Sequence, residues 1–317
     1  MAELTRNSRP SDVPSRQAGK GRRASRSRGG PRRVPLYWIL PAFLLIVAAR
    51  YASTVAGGWY AFTDWDGISA SADFVGLDNF RQIFRDPSAR GALVHTLVLA
   101  FAYVIAVNVI GLALALALNR TLKSRNFVRA LFFAPVVMSP LAVSYVWQFL
   151  FGLDGPINNG LDKVGLDSLE RPWLGDPTWA LWTIFVVLVW QFAGLAMIFY
   201  LAGLSGIPEE LDEAASVDGA SPFRRFRRIT FPLLAPAITV SVTLSLIFGL
   251  GVFDQVLALT GGGPVDASET LATQIYKQTF AFGRYGYGTA YALLLTVLIT
   301  VIAVTQLVVL RAREKRL

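Results

Sequence analysis

Six long apolar stretches, separated by shorter polar segments, dominate the pattern of this chain. They cover about residues 35–56, 92–118, 130–151, 178–204, 233–257 and 286–310. As a helix, each stretch is long enough to cross a hydrocarbon layer of about 30 Å. The stretches do not show the short alternating pattern of membrane β-strands, and a backbone in lipid must satisfy its own hydrogen bonds. The pattern therefore predicts an all-α polytopic membrane protein with six transmembrane helices.

The composition agrees with a membrane protein and restricts its chemistry. Of the 317 residues, 54% are hydrophobic and only 16% are charged. The chain has no cysteine and a single histidine, His95, so it offers no thiolate metal site and little for a catalytic triad. It also has no Gly-x-x-x-x-Gly-Lys-Ser/Thr phosphate loop. We therefore expect no catalytic residue, no metal site and no nucleotide hydrolysis by this chain.

The distribution of basic residues predicts the orientation of the six helices. With the amino terminus inside, the cytoplasmic segments hold 22 of the 30 Lys and Arg residues and the outer segments hold seven. This asymmetry places both termini in the cytoplasm by the positive-inside rule. The basic residues at 1–33 are then a topology signal that contacts anionic lipid, with a nucleic-acid-binding arm as the minor alternative.

The chain divides into two predicted domains. Residues 1–33, rich in Arg, Ser, Gly and Pro, form a disordered basic cytoplasmic tail, and residues 34–317 form the six-span domain. Residues 74–86 have the spacing of a short amphipathic helix on the outer face. Asp254 is the one ionisable residue within the later spans. It is either an interface carboxylate or a group with a translocation or gating role.

The segment between the fourth and fifth stretches, residues 205–230, is the most patterned polar connection. Pro208 and the acidic run after it favour the start of a helix. Gly219 is suited to the left-handed conformation that ends a helix, and Ser221–Pro222 favour a second start. In the second helix we expect Phe223 to point inward. From the residues alone, the segment is either a solvated amphipathic loop or a docking element for a cytoplasmic partner.

Three motifs carry a resemblance to a known family. Glu213-Ala214-Ala215, followed by Asp218-Gly219-Ala220, resembles the EAA motif of the permease subunits of binding-protein-dependent ABC importers. LTGGGP at Leu259–Pro264 and VGLDNF at Val75–Phe80 resemble the carbohydrate-uptake branch, in particular the maltose and glycerol-3-phosphate permease subunits. The resemblance runs from about residue 35 to the end. Phe231 departs from it, because leucine is more usual there.

The resemblance implies a fold, a role and a set of partners. The chain would be a permease of the bacterial inner membrane that imports a sugar or oligosaccharide without an ATPase site of its own. Its partners would be a second permease subunit, two ATPase subunits that bind ATP and Mg, and an extracytoplasmic solute-binding protein. The helix before Gly219 would be the coupling helix that docks on the ATPase. The coupling residues would be Glu213, Ala214, Ala215, Asp218, Gly219 and Ala220.

The resemblance also implies a substrate path through three spans. Its residues would be Val136, Ser139, Pro140, Ser144, Trp190, Gln191, Phe192, Leu195, Phe248, Gly249, Val252 and Phe253. The aromatic members alternatively serve helix packing or the interface belt. The stretch FGLGVF replaces a more polar pattern of the maltose-type subunit. Either the ligand differs, with a phosphorylated glycerol derivative among the alternatives, or the second permease supplies most contacts.

Two other classes of protein remain open at this point. The chain would be a membrane-anchored scaffold or sensor if residues 205–230 recruit a cytoplasmic protein without solute movement. An ion-coupled secondary transporter is disfavoured, because the span centres nearly lack ionisable residues. Association with an ATPase and ATP-dependent uptake would discriminate these classes from an importer.

Overall fold

A computed structural model describes residues 36–119 and 124–314. These residues form helices and turns, with one isolated antiparallel bridge between Thr63 and Phe74. They fall into two compact units, one ending at Arg50 and the other beginning at Tyr51. The all-α prediction is confirmed for this part of the chain. The predicted basic tail, residues 1–33, lies outside the described residues.

The helices vary widely in length. The α-helices of the described residues are α1 Leu40–Val47, α2 Ser53–Tyr60, α3 Asp78–Arg85, α4 Pro87–Leu118, α5 Arg125–Val137, α6 Pro140–Leu150, α7 Pro156–Lys163, α8 Ala180–Leu204, α9 Glu209–Val217, α10 Pro222–Arg225, α11 Phe231–Leu233, α12 Ala235–Leu250, α13 Asp254–Thr260, α14 Leu271–Tyr276 and α15 Tyr285–Glu314. Short 3₁₀ segments lie at Leu36–Trp38 and Asp167–Leu169, and π-helical turns lie at Ala48–Ala52, Phe226–Thr230 and Lys277–Ala281.

Within the described residues, the candidate membrane spans are of two kinds. Four are long enough as continuous helical segments: Leu40–Tyr60, Pro87–Leu118, Ala180–Leu204 and Tyr285–Glu314. Two are bent helix pairs, Arg125–Val137 with Pro140–Leu150 at 98° and Pro222–Leu233 with Ala235–Leu250 at 68°. If each bent pair is one span, the total is six, which agrees with the six apolar stretches.

Both bent spans differ from the uninterrupted helices that the apolar pattern predicts. In the third span, Ser139 has the extended conformation (φ −56°, ψ 132°) because the following residue is Pro140. The fifth span helix ends at Leu250 instead of continuing to residue 257, and Asp254 starts the short helix α13. Asp254 is exposed. Apolar character alone does not show such breaks, because a bent span and a straight span need the same side chains.

The core of the second unit is built where α4, α8 and α12 pack together. Its buried residues include Leu99, Ile184, Met197 and Leu250. Small residues allow the close approach of the helices: a Cβ added at Gly111 would collide with Ala196 of α8. Packing through small residues is the usual basis of helix association in lipid.

A second, smaller core joins α3, the start of α4, α14 and α15. The Nδ2 atom of buried Asn79 donates to the carbonyl oxygens of Ala61 and Thr63, at 2.9 and 2.8 Å. Ile83 is also buried, whereas Phe74 is exposed. The predicted amphipathic helix is therefore present but begins at Asp78, and its buried face is narrower than the apolar spacing of residues 74–86 indicates.

Candidate functional site

Helix α9 lies in the segment for which the sequence predicted a docking element. Pro208 is the residue just before the helix (φ −60°, ψ 131°), one position earlier than the predicted first turn. Glu209, Glu210 and Asp212 occupy that first turn, where negative charge is favoured by the helix dipole.

Gly219 ends α9 in the predicted manner. Its φ is +75°, in the left-handed region. The N–H of Ala220 donates to the carbonyl of Ala215 at 2.9 Å, and the N–H of Gly219 donates to that of Ser216 at 3.1 Å. This pair of bonds is a Schellman cap, which satisfies carbonyls that the helix end would leave free. A Cβ at Gly219 would meet open space, so glycine is needed here for its backbone conformation alone.

The surface of α9 and of the turn after it is largely exposed. Among the predicted coupling residues, Glu213, Ala214, Asp218 and Gly219 are exposed, and Ala215 and Ala220 are half-buried. Val217 is 88% exposed and Phe223 is 72% exposed. The inward position predicted for Phe223 is wrong, because α10 ends after four residues and the chain continues as a π-turn. An apolar surface next to an acidic helix start suits a protein partner.

An ion pair ties α10 to α9. The Nη1 atom of Arg225 lies 2.8 Å from Oδ2 of Asp212, and the same nitrogen donates to the backbone oxygen of Asp212 at 3.4 Å. The Asp212 side chain is more than half exposed, so the pair contributes at most about 1 kcal/mol. The pair joins α9 to the chain that leads into the fifth span.

A cavity of about 250 Å³ lies among α4, α8 and α12, and we call it the central pocket. Three predicted path residues line it: Phe192, Leu195 and Phe248. Tyr103 of α4 also lines it, with its ring centroid 6.4 Å from that of Phe192 and 5.9 Å from that of Phe248. None of the lining residues is charged. The pocket is therefore a small, mainly apolar cavity in which four of the ten lining residues are aromatic.

A hydrogen-bond network centred on Asn108 lies beside the central pocket. Oδ1 of Asn108 accepts from the hydroxyls of Tyr200 and Ser241, both at 2.7 Å. Nδ2 donates to Ser245 Oγ at 2.9 Å and to the carbonyl of Val104 at 2.8 Å. The amide thereby uses both donors and both acceptor positions, and it connects α4, α8 and α12. Ser241 and Ser245 also line the pocket, and the network engages the hydroxyls of both.

Other predicted path residues meet at the bend of the third span. Buried Gln191 donates from Nε2 to the carbonyl of Met138 at 3.3 Å, next to Ser139 and Pro140. Nε2 of Gln255, in α13, donates to Oε1 of Gln191 at 3.0 Å. The two glutamines thus connect α8, α13 and the broken point of the third span. Gln255 was not among the predicted residues.

The remaining predicted path residues do not line the central pocket. Buried Ser144 donates to the carbonyl of Pro140 at 2.8 Å, and Trp190 packs edge-on against Trp147. A Cβ at Gly249 would collide with Tyr103 and Ala100, so this glycine permits close helix approach. Of the other three members, Val252 is buried, Val136 and Phe253 are half-buried, and none is among the lining residues of the pocket.

Sequence reasoning missed Tyr103 and Asn108 in the second span. Both lie among apolar neighbours, and neither an amide nor a phenol is charged at neutral pH. Charged residues in the spans therefore do not indicate them. A search for isolated polar side chains near the centre of an apolar stretch would have found them. The family resemblance pointed to the third, fourth and fifth spans instead.

Residues 107–315 match the family described as the binding-protein-dependent transport system inner membrane component. The chain belongs to this family. The family is one of membrane transport components, which confirms the resemblance stated from the EAA-type, LTGGGP and VGLDNF motifs.

Several relatives resemble this family member along most of its length. The multiple sugar-binding transport system permease protein MsmF of Streptococcus mutans is 36% identical over 279 residues, which are 86% of this chain and 94% of that protein. The probable starch degradation products transport system permease protein AmyD of Thermoanaerobacterium thermosulfurigenes is 33% identical, with 88% and 94% covered.

A solved structure shares the fold of this family member. It is a bacterial ABC transporter involved in the import of the acidic polysaccharide alginate, with a TM-score of 0.77 and 26% identity. The alignment covers 87% of this chain and 95% of that one. A second match, also with a TM-score of 0.77 and 26% identity, is a bacterial alginate ABC transporter in complex with an alginate pentasaccharide-bound periplasmic protein.

Proposed function

We propose that this permease is a membrane-spanning subunit of an ATP-driven importer for a sugar or oligosaccharide that an extracytoplasmic binding protein delivers. The observation that carries the proposal is the central pocket in a chain of this family. Tyr103, Phe192 and Phe248 offer aromatic faces for the C–H groups of a sugar ring. The names of the relatives support a carbohydrate substrate.

The uncharged lining of the central pocket favours a neutral sugar over a phosphorylated glycerol derivative. A phosphate group in a low-dielectric pocket needs a cationic partner or several N–H donors. The nearest polar groups, Ser241 and Ser245, are already engaged with Asn108 and are not cationic. The phosphate alternative would therefore require that the second permease supply the charge.

Helix α9 is the proposed site of coupling to the ATPase. Its exposed Glu213, Ala214 and Asp218, with Ala215, Gly219 and Ala220, would enter a groove of an ATPase subunit that binds ATP and Mg. Closure of the two ATPase subunits would move the docked helices and shift the permease pair between inward-open and outward-open states. Such a shift requires that nucleotide bind the two states with different affinity.

The proposed assembly contains this chain, a second permease, two ATPase subunits and the binding protein in the bacterial inner membrane. The distribution of Lys and Arg residues supports cytoplasmic termini. In this orientation α9 would lie on the cytoplasmic side, where an ATPase would have access to it. The alginate importer in complex with a sugar-bound periplasmic protein supports the presence of a binding protein.

Single cysteines test the orientation cleanly, because the natural chain has none. Asp218→Cys in intact cells should resist a membrane-impermeant maleimide and react after the membrane is opened. Asp64→Cys, an exposed position in the opposite connection, is the control and should react from outside. Labelling of Asp218→Cys from outside would refute the proposal.

Uptake tests the function itself. The purified chain should bring an ATPase and a second six-span protein with it, and proteoliposomes should take up sugar only with ATP and the binding protein. Glu213→Lys should abolish uptake while the subunit stays in the membrane, and Glu170→Lys, an exposed control, should leave uptake unchanged. ATP-independent uptake would favour a secondary carrier, and partner recruitment without uptake would favour a scaffold.

A further inference from the structure

Six aromatic rings form a continuous series in the second unit, which we call the aromatic ladder. Its members in order are Tyr60, Trp65, Tyr285, Phe280, Tyr276 and Phe253. Successive ring centroids lie 4.2, 5.7, 5.9, 5.5 and 5.7 Å apart. Five of the six rings come from the end of α2 and from connections that the charge distribution predicts to lie outside. The sixth, Phe253, lies just before α13.

The middle of the aromatic ladder is held rigidly by backbone contacts. The N–H of Gly286 donates to the carbonyl of Trp65 at 2.7 Å, and the indole Nε1 of Trp65 donates to the carbonyl of Ser69 at 2.9 Å. The ring of Tyr285 lies so close to Gly67 that an added Cβ would overlap it. The rings of Trp65 and Tyr285 are thus positioned in the absence of a ligand, and such preorganisation lowers the entropic cost of binding.

The aromatic ladder is most accessible at its fourth and fifth rings. Phe280 is 65% exposed and Tyr276 is 41% exposed, and the other four rings are half-buried. The two most exposed rings, Phe280 and Tyr276, have centroids 5.5 Å apart and an interplanar angle of 43°, so they offer neighbouring apolar surfaces for the C–H faces of a sugar chain. A single sugar would cover one ring, whereas a chain of several units would contact several rings at once.

The inner end of the aromatic ladder reaches the predicted substrate path. Phe253 precedes exposed Asp254, whose carboxylate is an acceptor suited to sugar hydroxyls. Gln255, two residues after Phe253, contacts Gln191 of the path. A ligand that follows the rings inward would therefore arrive where α13 meets α8.

We propose that the aromatic ladder is a carbohydrate-binding track for an oligosaccharide chain on its way from the binding protein to the membrane spans. The inference rests on the proposed sugar-import function and extends it in one respect. It assigns a binding site to residues outside the central pocket, and it makes the preferred ligand a chain of several sugar units.

Tryptophan fluorescence of the assembled transporter in lipid nanodiscs tests the track. The probes are malto-, cello- and xylo-oligosaccharides of one to six units, and the signal of Trp65 is the difference between the natural chain and Trp65→Phe. At least one series should shift this signal, with an affinity that rises with chain length. Tyr285→Ala should weaken binding of the six-unit probe about three- to tenfold and leave the one-unit probe nearly unaffected.

Two further variants separate ring contact from folding. Tyr285→Phe keeps the ring and should retain the affinity of the natural chain. Phe84→Ala removes an exposed ring of α3 that is not part of the aromatic ladder and should also bind normally. The proposal is overturned if no series shifts the Trp65 signal, if affinity does not depend on chain length, or if Phe84→Ala weakens binding as much as Tyr285→Ala.

The outcome for the track is distinguishable from the outcome for the proposed function. ATP-driven sugar uptake that is insensitive to Tyr285→Ala at every chain length would reject the aromatic ladder and leave the importer intact. Loss of all ATP-driven sugar uptake in the natural transporter would reject the proposed function, whatever the fluorescence of Trp65 shows.

Discussion

Replacing Gly219 with alanine tests whether the end of α9 couples this permease to its ATPase. The residue has φ +75°, and its added Cβ would meet open space. The substitution therefore costs only the intrinsic penalty of a left-handed L-residue, about 1–2 kcal/mol. A penalty of this size lowers the ratio of correctly capped to frayed α9 about five- to thirtyfold.

Gly165 is a matched control for this substitution. It also has φ +75° and open space around an added Cβ. It ends α7 with the same pair of bonds, from the N–H of Gly165 to Asp162 and from that of Leu166 to Leu161, both at 2.9 Å. Gly165→Ala should therefore carry the same conformational cost at a site away from α9.

The assay is ATP-driven uptake in proteoliposomes, with the amount of co-purified ATPase measured in parallel. Gly219→Ala should reduce both, Gly165→Ala should reduce neither, and Gly219→Asn should recover part of the loss because asparagine tolerates the left-handed region. Equal uptake by the two alanine variants would refute the assignment of α9 as the coupling element.

Three further predictions concern stability. Asn108→Leu should lower the free energy of unfolding by about 2 kcal/mol in detergent, because it leaves the hydroxyls of Tyr200 and Ser241 without their acceptor, and Tyr200→Phe in the same chain should recover part of this loss. Lys277→Met should cost about 3 kcal/mol, because buried Glu269 loses its ion-pair partner, whereas exposed Lys163→Met should cost little. Added Glu269→Gln should restore stability, and failure to do so would exclude the uncompensated charge as the cause. Hydrogen bonds from Ser69 and Ile68 lower the pKa of Asp66 from 3.8 to about 2. These bonds therefore stabilise the turn beside Trp65 above about pH 4, and the stabilisation is lost as the pH falls towards 2. The Trp65 emission should thus stay constant from about pH 5 to 8 and shift only in acid, and Asp66→Asn should remove that acid shift.

The six spans and the helix–turn–helix of residues 205–230 could be predicted because each depends on local sequence. Twenty apolar residues require a lipid or core environment wherever they occur, and Gly219 ends α9 through its own backbone freedom. The same locality explains why α3 was found but its start was misplaced. Phe74 is apolar, and only the tertiary contacts of Asn79 show where the helix begins to pack.

The breaks in the spans and most of the central pocket depend on contacts that no local pattern carries. Pro140 marks a weak point of the third span, but the bend of 98° depends on how α6 packs against α13. Tyr103 reaches the pocket because Gly249 allows α12 to approach α4 closely. The sequence alone shows that residue 249 is a glycine, but it does not show that the Tyr103 side chain occupies the space next to it.

The break between the two helices of the third span, at Met138 and Ser139, affects the hydrogen bonding of the backbone. A helix broken inside a membrane exposes carbonyl groups that lipid cannot solvate, and here the amide of Gln191 supplies a donor to one of them. The break in the third span is therefore compatible with a lipid environment, and Gln255 connects it to α13, which begins next to Phe253 at the inner end of the aromatic ladder.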